Sequence, residues 1–598
     1  MKARHLAALV VALLACSPPR TPPPGPAPAP ESAGLADAAP LVPASWTYPM
    51  RAQAAPSAHG AVASDCTQAT KVGVEMLQRG GNAVDAAVAT AFALAVAYPT
   101  AGNLAGGGFA VVHLGGEDRT LDFRETAPAA ASRDMYASPS TADVVTKASK
   151  AAMTGGSRQG WASSGTPGSV AGLWTLHAAK GSRPWKEVIA PSIAMARDGL
   201  VVDEAFAGEI DDAKDRLAND PAAAALFLPG GQPPTVGSTW KNPDLATVLE
   251  RIAEKGPAGF YEGPTAEAIA SQMKAHGGFV TLEDLRGYEA KWRSPLVFSY
   301  RGAKVVSMPP PSSGGVTLAM IAHIVEGYDL PHGGWHSPME VHVLVEAMRR
   351  AFAARNARLG DPDFVDNPLA ELLSPEWAEA QRRTIRPDHA TPSSEIPSVG
   401  VPTGGPHTTN ISVVDTNGDA VALTTTLNWF FGNDIVVPGT GIVLNNEMDD
   451  FASVPGKANG YGLVQGDPNS IAPKKRMLSS MSPVIVLGPD SMPALVAGAA
   501  GGPRIISSVF EILSNFEDHG MDPVAAVDAP RFHMQHLPDV VLYEKNGLEP
   551  SLRDALAAMG YSLKEAGHLA TANAIGRTHG GWIAAAEPRR RGALGLGW

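Results

Sequence analysis

Apolar positions recur at helical spacing over residues 67–79 and the pattern stops at Gly80-Gly81, a pair suited to the left-handed turn that ends a helix. A second helix is predicted over residues 83–98, closed by Pro99. It is apolar almost all round apart from Asp85, and it is short for a membrane span, so it reads as a buried core helix. Gly106-Gly107-Gly108 then leads into the apolar run 109–114, of strand length and composition, with residues 120–123 as its hairpin partner and Arg124 at the strand end. The middle of the chain, residues 165–381, alternates helical patterns with short loops. It contains the rigid, turn-forming run Pro309-Pro310-Pro311-Ser312-Ser313-Gly314-Gly315, and no internal repeat is visible.

Over residues 387–406 the composition shifts to Pro, Ser, Thr and Gly, which predicts a long loop of the kind that is usually functional or mobile in a large body. It runs into Thr408. Residues 410–415 and 420–427 are β-rich, and Asn417-Gly418 between them signals a tight hairpin turn. A two-residue loop would set Thr408 opposite Leu427, with Thr426 and Asn428 as flanking neighbours. A slip of one residue would exchange the faces, so the pattern predicts the neighbourhood and leaves the face open.

Composition narrows the class. The chain has 598 residues, 44% hydrophobic and 18% charged, enough for several domains or for one large layered body. A net charge of -12 argues against a nucleic-acid partner. The one tight basic run, Arg589-Arg590-Arg591, reads as a solvated tail. Residues 1–16 have the form of an export signal, with Lys2 and Arg4 ahead of an apolar stretch. Leu13-Leu14-Ala15-Cys16 resembles a lipobox, which would put lipid on Cys16 and anchor the chain in the bacterial envelope; ordinary signal cleavage with Cys16 incidental is the alternative. Residues 17–45, rich in Pro and Ala, would be a semi-extended tether. Cys66 would then be the sole remaining cysteine, so no internal disulfide is expected.

Polar and glycine-rich stations punctuate the C-terminal third: Thr408-Thr409, residues 444–451, residues 478–483 and Gly501-Gly502-Pro503-Arg504. Stations of this kind between apolar strands belong to a site rather than a core. In this order, and with residues 80–87, 122–125, 307–315 and 360–364, they resemble the γ-glutamyltransferases (glutathione hydrolases) over about residues 60–590. The resemblance implies an α+β fold, the four-layer αββα sandwich of N-terminal-nucleophile hydrolases. It also implies self-cleavage between His407 and Thr408, giving a large subunit, residues 46–407, and a small one, residues 408–598.

The chemistry of the residues agrees. A threonine hydroxyl is a weak nucleophile that needs an adjacent base, and cutting before Thr408 frees an amine of unperturbed pKa about 7.7 to 8.0 beside that hydroxyl. By resemblance Thr426 orients the nucleophile, and the Gly501 and Gly502 amides form an oxyanion hole. Arg124, Ser479 and Ser480 would hold the α-carboxylate of a γ-glutamyl donor such as glutathione, while Asn428, Glu447 and Asp450 take its ammonium. The acyl group would pass to water, an amino acid or a short peptide. Neither cofactor nor metal is implied, and His533 and His536 read as structural. Each residue has a plainer reading: Arg124 a surface ion pair, Glu447 and Asp450 turn caps, Ser479-Ser480 a turn.

The stretch 450–467 resembles the family's lid loop, with Tyr461 closing over the donor pocket, which implies small donors. One departure is Ala105, where the family often has glycine. Two rival functions stand beside this one. A related cephalosporin or glutaryl acylase would use the same nucleophile with less need of Glu447 and Asp450, and a surface-anchored binding module would have lost catalysis.

Overall fold

The computed structural model describes residues 42–48, 50, 56–136, 156–396, 408–453 and 459–598. Cys16 and His407 lie outside the described residues. A seven-stranded sheet runs in the order Leu594–Gly597, Ala61–Ser64, Thr409–Val414, Ala420–Thr426, Gly107–Leu114, Glu117–Asp122, Lys291–Arg293. A six-stranded sheet has the order Gly581–Ala585, Thr571–Thr578, Pro493–Ala500, Val484–Leu487, Ala303–Ser307, Leu296–Tyr300. Strand alternation decides what each sheet faces. Ala61, Ala63, Phe109, Val111, Val414, Ala420 and Ala422 pack inward against Ile485 and Val496 of the second sheet. The intervening Val62, Ala110, Val112, Ile411, Val413 and Val421 pack outward against helices Thr67–Gln78 and Ala83–Ala97. Helices Gly314–Val325, Pro338–Arg358 and Arg504–Glu517 cover the far side of the second sheet. The result is the helix–sheet–sheet–helix sandwich, an α+β fold.

Helix Ala83–Ala97 is buried along its whole length, as its composition predicts. Asp85 is tolerated inside because it closes a capping box with Asn82 and also accepts from the backbone of Ser182 and Arg183. No helix among the described residues is long and apolar enough to cross a membrane.

Three expectations need correction. The middle segment is not purely helical, since Leu296–Tyr300 and Ala303–Ser307 are strands of the second sheet. Each is five residues long, too short for its period of two to stand out. The arginine run near the C-terminus is not a solvated tail. Pairing of Leu594–Gly597 with Ala61–Ser64 draws it against the body. Arg589 is buried between Glu544 and Glu587 (2.7 and 2.8 Å), and Arg590 pairs with Glu209 and lies 4.0 Å over the Tyr98 ring. Arg591 alone of the three is exposed.

The third correction is the hairpin register. Ala420 pairs with Val414 and Thr425 with Thr409. Asp415 N–H donates to Asp419 O (3.0 Å) and Gly418 N–H to Asp415 O (3.0 Å), so the loop has three residues, not two, with Gly418 left-handed at φ 79°. Carried one step on, this register sets Thr408 opposite Thr426 rather than Leu427. Both side chains then share the inward face, between the sheets. A β-branched residue is disfavoured at Gly418's φ, so Gly418→Val is expected to cost about 1–3 kcal/mol. The measurement is the thermal midpoint against wild type; an unchanged midpoint would mean that this turn does not hold the register.

Candidate active site

Thr408 enters the sandwich at the end of one sheet, opposite the glycine turn that ends the central strand of the other. Ser412 and Asn410, on the same face, already reach that second sheet: Ser412 Oγ donates to Asn573 O (3.4 Å), and Asn410 lies against Gly498. Thr408 Oγ1 is 3.4 Å from Thr426 Oγ1, which accepts the Asn428 N–H at 2.8 Å. The outward-facing neighbours brace this pair. Thr409 Oγ1 donates to buried Asp65 (2.8 Å), and Asn103 Nδ2 donates to Thr425 Oγ1 (3.1 Å) and Thr426 O (3.0 Å).

Strand Pro493–Ala500 ends at Gly501-Gly502, and helix Arg504–Glu517 starts immediately after. A helix N-terminus leaves amide N–H groups pointing outward, which suits a developing negative charge. Gly502 has φ 58°, and a Cβ there would come within 2.6 Å of the Tyr461 ring. Tyr461 therefore lies directly on the glycine turn. Its hydroxyl donates to Asn428 O, its ring stacks on Trp429 at 5.4 Å, and Asn459 Oδ1 accepts the Tyr461 and Leu463 amides. His533 is engaged away from the cavity, with Ser507 Oγ (2.8 Å) and Gln535 Oε1 (2.9 Å).

Ser479 and Ser480 are held by the proline-rich run. Ser479 N–H donates to Pro311 O (2.9 Å), Ser313 N–H and Oγ donate to Ser479 O (2.8 and 2.6 Å), and Ser312 Oγ donates to Met481 O at 2.5 Å. The run has no slack here, since a Cβ at Gly314 would strike the Met481 carbonyl.

Arg124 leaves the end of strand Glu117–Asp122 and is fully buried. Its two terminal nitrogens donate to Glu447 and Asp450, both on the turn Glu447–Asp450, and Nε donates to Met477 O (3.2 Å). The surface ion pair and turn-cap readings are thus excluded for these three residues. Burial works against the Arg124 charge, but the fields of Glu447, Asp450 and Glu125 outweigh it and raise its pKa. Glu447 and Asp450 are both raised, by burial first, with Arg124 opposing.

These residues line one cavity: Arg124, Thr408, Thr426, Asn428, Glu447, Asp450, Tyr461, Ser479, Ser480 and Gly502, together with Arg355. Its volume is about 20 Å³, enough for about one water molecule. Two members of the charge cluster were missed from the sequence. Arg355 lies five residues before the family-like stretch at Gly360. Glu125 follows Arg124 and is fully buried, with one carboxylate oxygen 3.7 Å from Arg124 Nη1. Neither Glu125 oxygen has a donor among the described residues. Burial pushes the Glu125 carboxyl up to about 7, with the Arg124 charge opposing.

A profile of the gamma-glutamyltranspeptidase family matches residues 69–596. The chain is 44% identical to the glutathione hydrolase proenzyme of Escherichia coli (strain K12) over 524 residues, 87% of this chain and 88% of that protein. It is 42% identical to the glutathione hydrolase proenzyme of Pseudomonas sp. (strain A14) over 545 residues, 89% and 92% of the two chains. Among solved structures, the cephalosporin acylase from Bacillus halodurans aligns with a TM-score of 0.79 and 27% identity, over 93% of this chain and 99% of that one.

The buried acid carries a pH prediction. Glu125 has a folded-state pKa raised from 4.5 to about 7, so its stabilising contribution is complete below about 4.5 and is lost as pH rises through about 7. Glu125→Gln stays neutral throughout. Its thermal midpoint should fall less than that of wild type between these two pH values. Parallel curves would show that Glu125 titrates as an ordinary carboxylate.

Proposed function

Since the chain belongs to the gamma-glutamyltranspeptidase family, we propose that its chemistry is carried by Thr408, freed as an N-terminal nucleophile by self-cleavage after His407. The protein is a γ-glutamyltransferase and glutathione hydrolase of the N-terminal-nucleophile class. The observation that carries the site assignment is the single cavity in which Thr408 and Thr426 meet Arg124, Glu447, Asp450 and the Gly502 turn.

In the precursor, Thr408 Oγ attacks the His407 carbonyl; the peptide C–N bond breaks, which frees the Thr408 amine and leaves the His407 acyl group as an ester on Oγ, and water then hydrolyses that ester to the His407 carboxylate and the Thr408 hydroxyl. In the mature enzyme that amine takes the Thr408 hydroxyl proton as Oγ attacks the γ-carbonyl of the donor. The Gly501 and Gly502 amides hold the oxyanion. Collapse breaks the amide C–N bond, and the proton passes to the departing amine. Water, or the amine of an amino acid or peptide, then attacks the γ-glutamyl ester and restores Thr408. Residues 46–407 and 408–598 would be the two subunits.

Donor binding exchanges partners within the charge cluster. The α-carboxylate takes the Arg124 fork, with Ser479 and Ser480 donating to it, and the ammonium takes Glu447, Asp450 and the Asn428 side chain. Each buried charge then keeps an opposite charge, which avoids the cost of an uncompensated ion. A cavity of about 20 Å³ is too small for a γ-glutamyl group, so Tyr461 must lift from Gly502 for entry and can settle back afterwards. This favours small donors.

The acylase neighbour supports a second reading with the same nucleophile and a different acyl group. The three acids around Arg124 (Glu125 and Glu447 buried, Asp450 nearly so) favour a donor that carries an ammonium. Retained Thr408, Thr426 and Gly501-Gly502 weigh against a binding module without catalysis. For location, we propose export directed by residues 1–16 and a lipid on Cys16, with residues 17–45 as tether.

The first test is the intact mass and N-terminal sequence of wild type and Thr408→Ala. Two chains are expected for wild type, the smaller beginning at Thr408. The variant should remain one chain and lose at least about a thousandfold in γ-glutamyl hydrolysis. A wild type that stays uncut while active would sink the mechanism.

A further inference from the structure

Among the described residues, Arg124, Arg349, Arg350, Arg355 and Arg531 are fully buried arginines. Four of them face a carboxylate directly, Arg124 at Glu447, Arg349 at Asp539, Arg350 at Glu346 and Arg531 at Glu587. Arg355 does not. Its hydrogen-bond partners among the described residues are all neutral. Nε donates to Ser313 Oγ (2.9 Å), Nη1 to Asn356 Oδ1 and Gln465 Oε1 (both 3.0 Å), and Nη2 to Ser480 Oγ (3.1 Å).

That shell fixes the guanidinium plane without neutralising it. A buried guanidinium with no carboxylate in contact is costly in the absence of another anion, and Arg355 lines the cavity that holds Thr408. Burial lowers its pKa to about 10, with Asp450 drawing it up and Arg124 pushing it down, so it stays charged at neutral pH. Four of the five N–H bonds are used, and the fifth is on Nη2, beside Ser480. Ser480 Oγ accepts from Arg355, which leaves the hydroxyl hydrogen to be donated elsewhere. Its neighbouring segment is bracketed by the two arginines, since Arg124 Nε holds Met477 O and Arg355 holds Ser480.

Resting on the donor-pocket reading above, we infer that Arg355 is a second cationic anchor for the α-carboxylate of the donor, acting chiefly through Ser480, whose hydroxyl it turns toward the substrate. In this role Arg355 is a positioning residue. It sets the strength and direction of the carboxylate contact and takes no part in the acyl transfer.

The test compares two donors, L-γ-glutamyl-p-nitroanilide and its α-carboxamide counterpart, on wild type, Arg355→Gln, Arg355→Lys and Ser480→Ala. Appearance of two chains in each preparation checks folding and processing. Arg355→Gln should lose roughly 30-fold in kcat/KM for the carboxylate donor, mainly through KM. It should change little for the carboxamide, so that the preference between donors collapses. Arg355→Lys should recover part of the preference. Ser480→Ala should collapse it as well, and it carries the test if Arg355→Gln does not process. Equal losses for both donors, or a preference intact in both Arg355→Gln and Ser480→Ala, would overturn the role of Arg355 while leaving the donor pocket standing. A wild type indifferent to the α-carboxylate would overturn the donor-pocket reading and this inference together.

Discussion

A strand side chain can face only one of two sides, and the active site depends on which side Thr408 takes. The three-residue turn around left-handed Gly418 sets Ala420 against Val414, and from there parity does the rest. Thr408 and Thr426 fall on the face between the sheets, where the glycine turn after Pro493–Ala500 can meet them. Thr409 and Thr425 fall on the outer face, where Asp65 and Asn103 brace the strand ends. One residue more or less in that turn would take Thr408 and Thr426 off the same face.

The second organising constraint is electrostatic. Arg124, Glu125, Glu447 and Asp450 come from two places far apart in sequence and meet in a volume almost closed to water. In such surroundings ions persist only in matched sets. The cluster manages this by pairing Arg124 with two acids, while burial pushes the third, Glu125, toward its neutral form. A zwitterionic ligand is the natural partner for such a set, because it brings one charge of each sign and leaves the sum unchanged. Arg355, surrounded by neutral acceptors, extends the same logic.

Closure comes from packing. Tyr461 rests on Gly502 because nothing but a hydrogen projects from that residue, and its hydroxyl is tied to the Asn428 carbonyl. Tyr461 is thereby in contact both with the glycine turn and with Asn428, whose N–H is bound to Thr426 Oγ1, so in the proposed mechanism a movement of Tyr461 would reach the residues around Thr408.

Much of this was legible from residue order. Helical spacing with Gly80-Gly81 marked Thr67–Gln78, continuous apolarity marked Ala83–Ala97 as buried, and the β-rich runs flanking Asn417-Gly418 marked the hairpin. Such features are local: a period, a turn, a cap. The ordered stations from Thr408 to Arg504 also named the chemistry, because nucleophile, acids, serines and glycines are residue types the reaction itself requires. What the chain pattern left open was decided by contacts between distant segments. The hairpin register turned on a single left-handed residue. The strands Leu296–Tyr300 and Ala303–Ser307 were recognisable only through their partners. Arg589 and Arg590 left solvent because an edge strand drew them inward. Glu125 and Arg355 became members of the site only when the sheets and the helix Pro338–Arg358 packed around them. Sequence by itself determined which groups could react and in which elements they sit; the tertiary structure decided which faces they share and which charges they see, since facing and field depend on neighbours that local pattern does not encode.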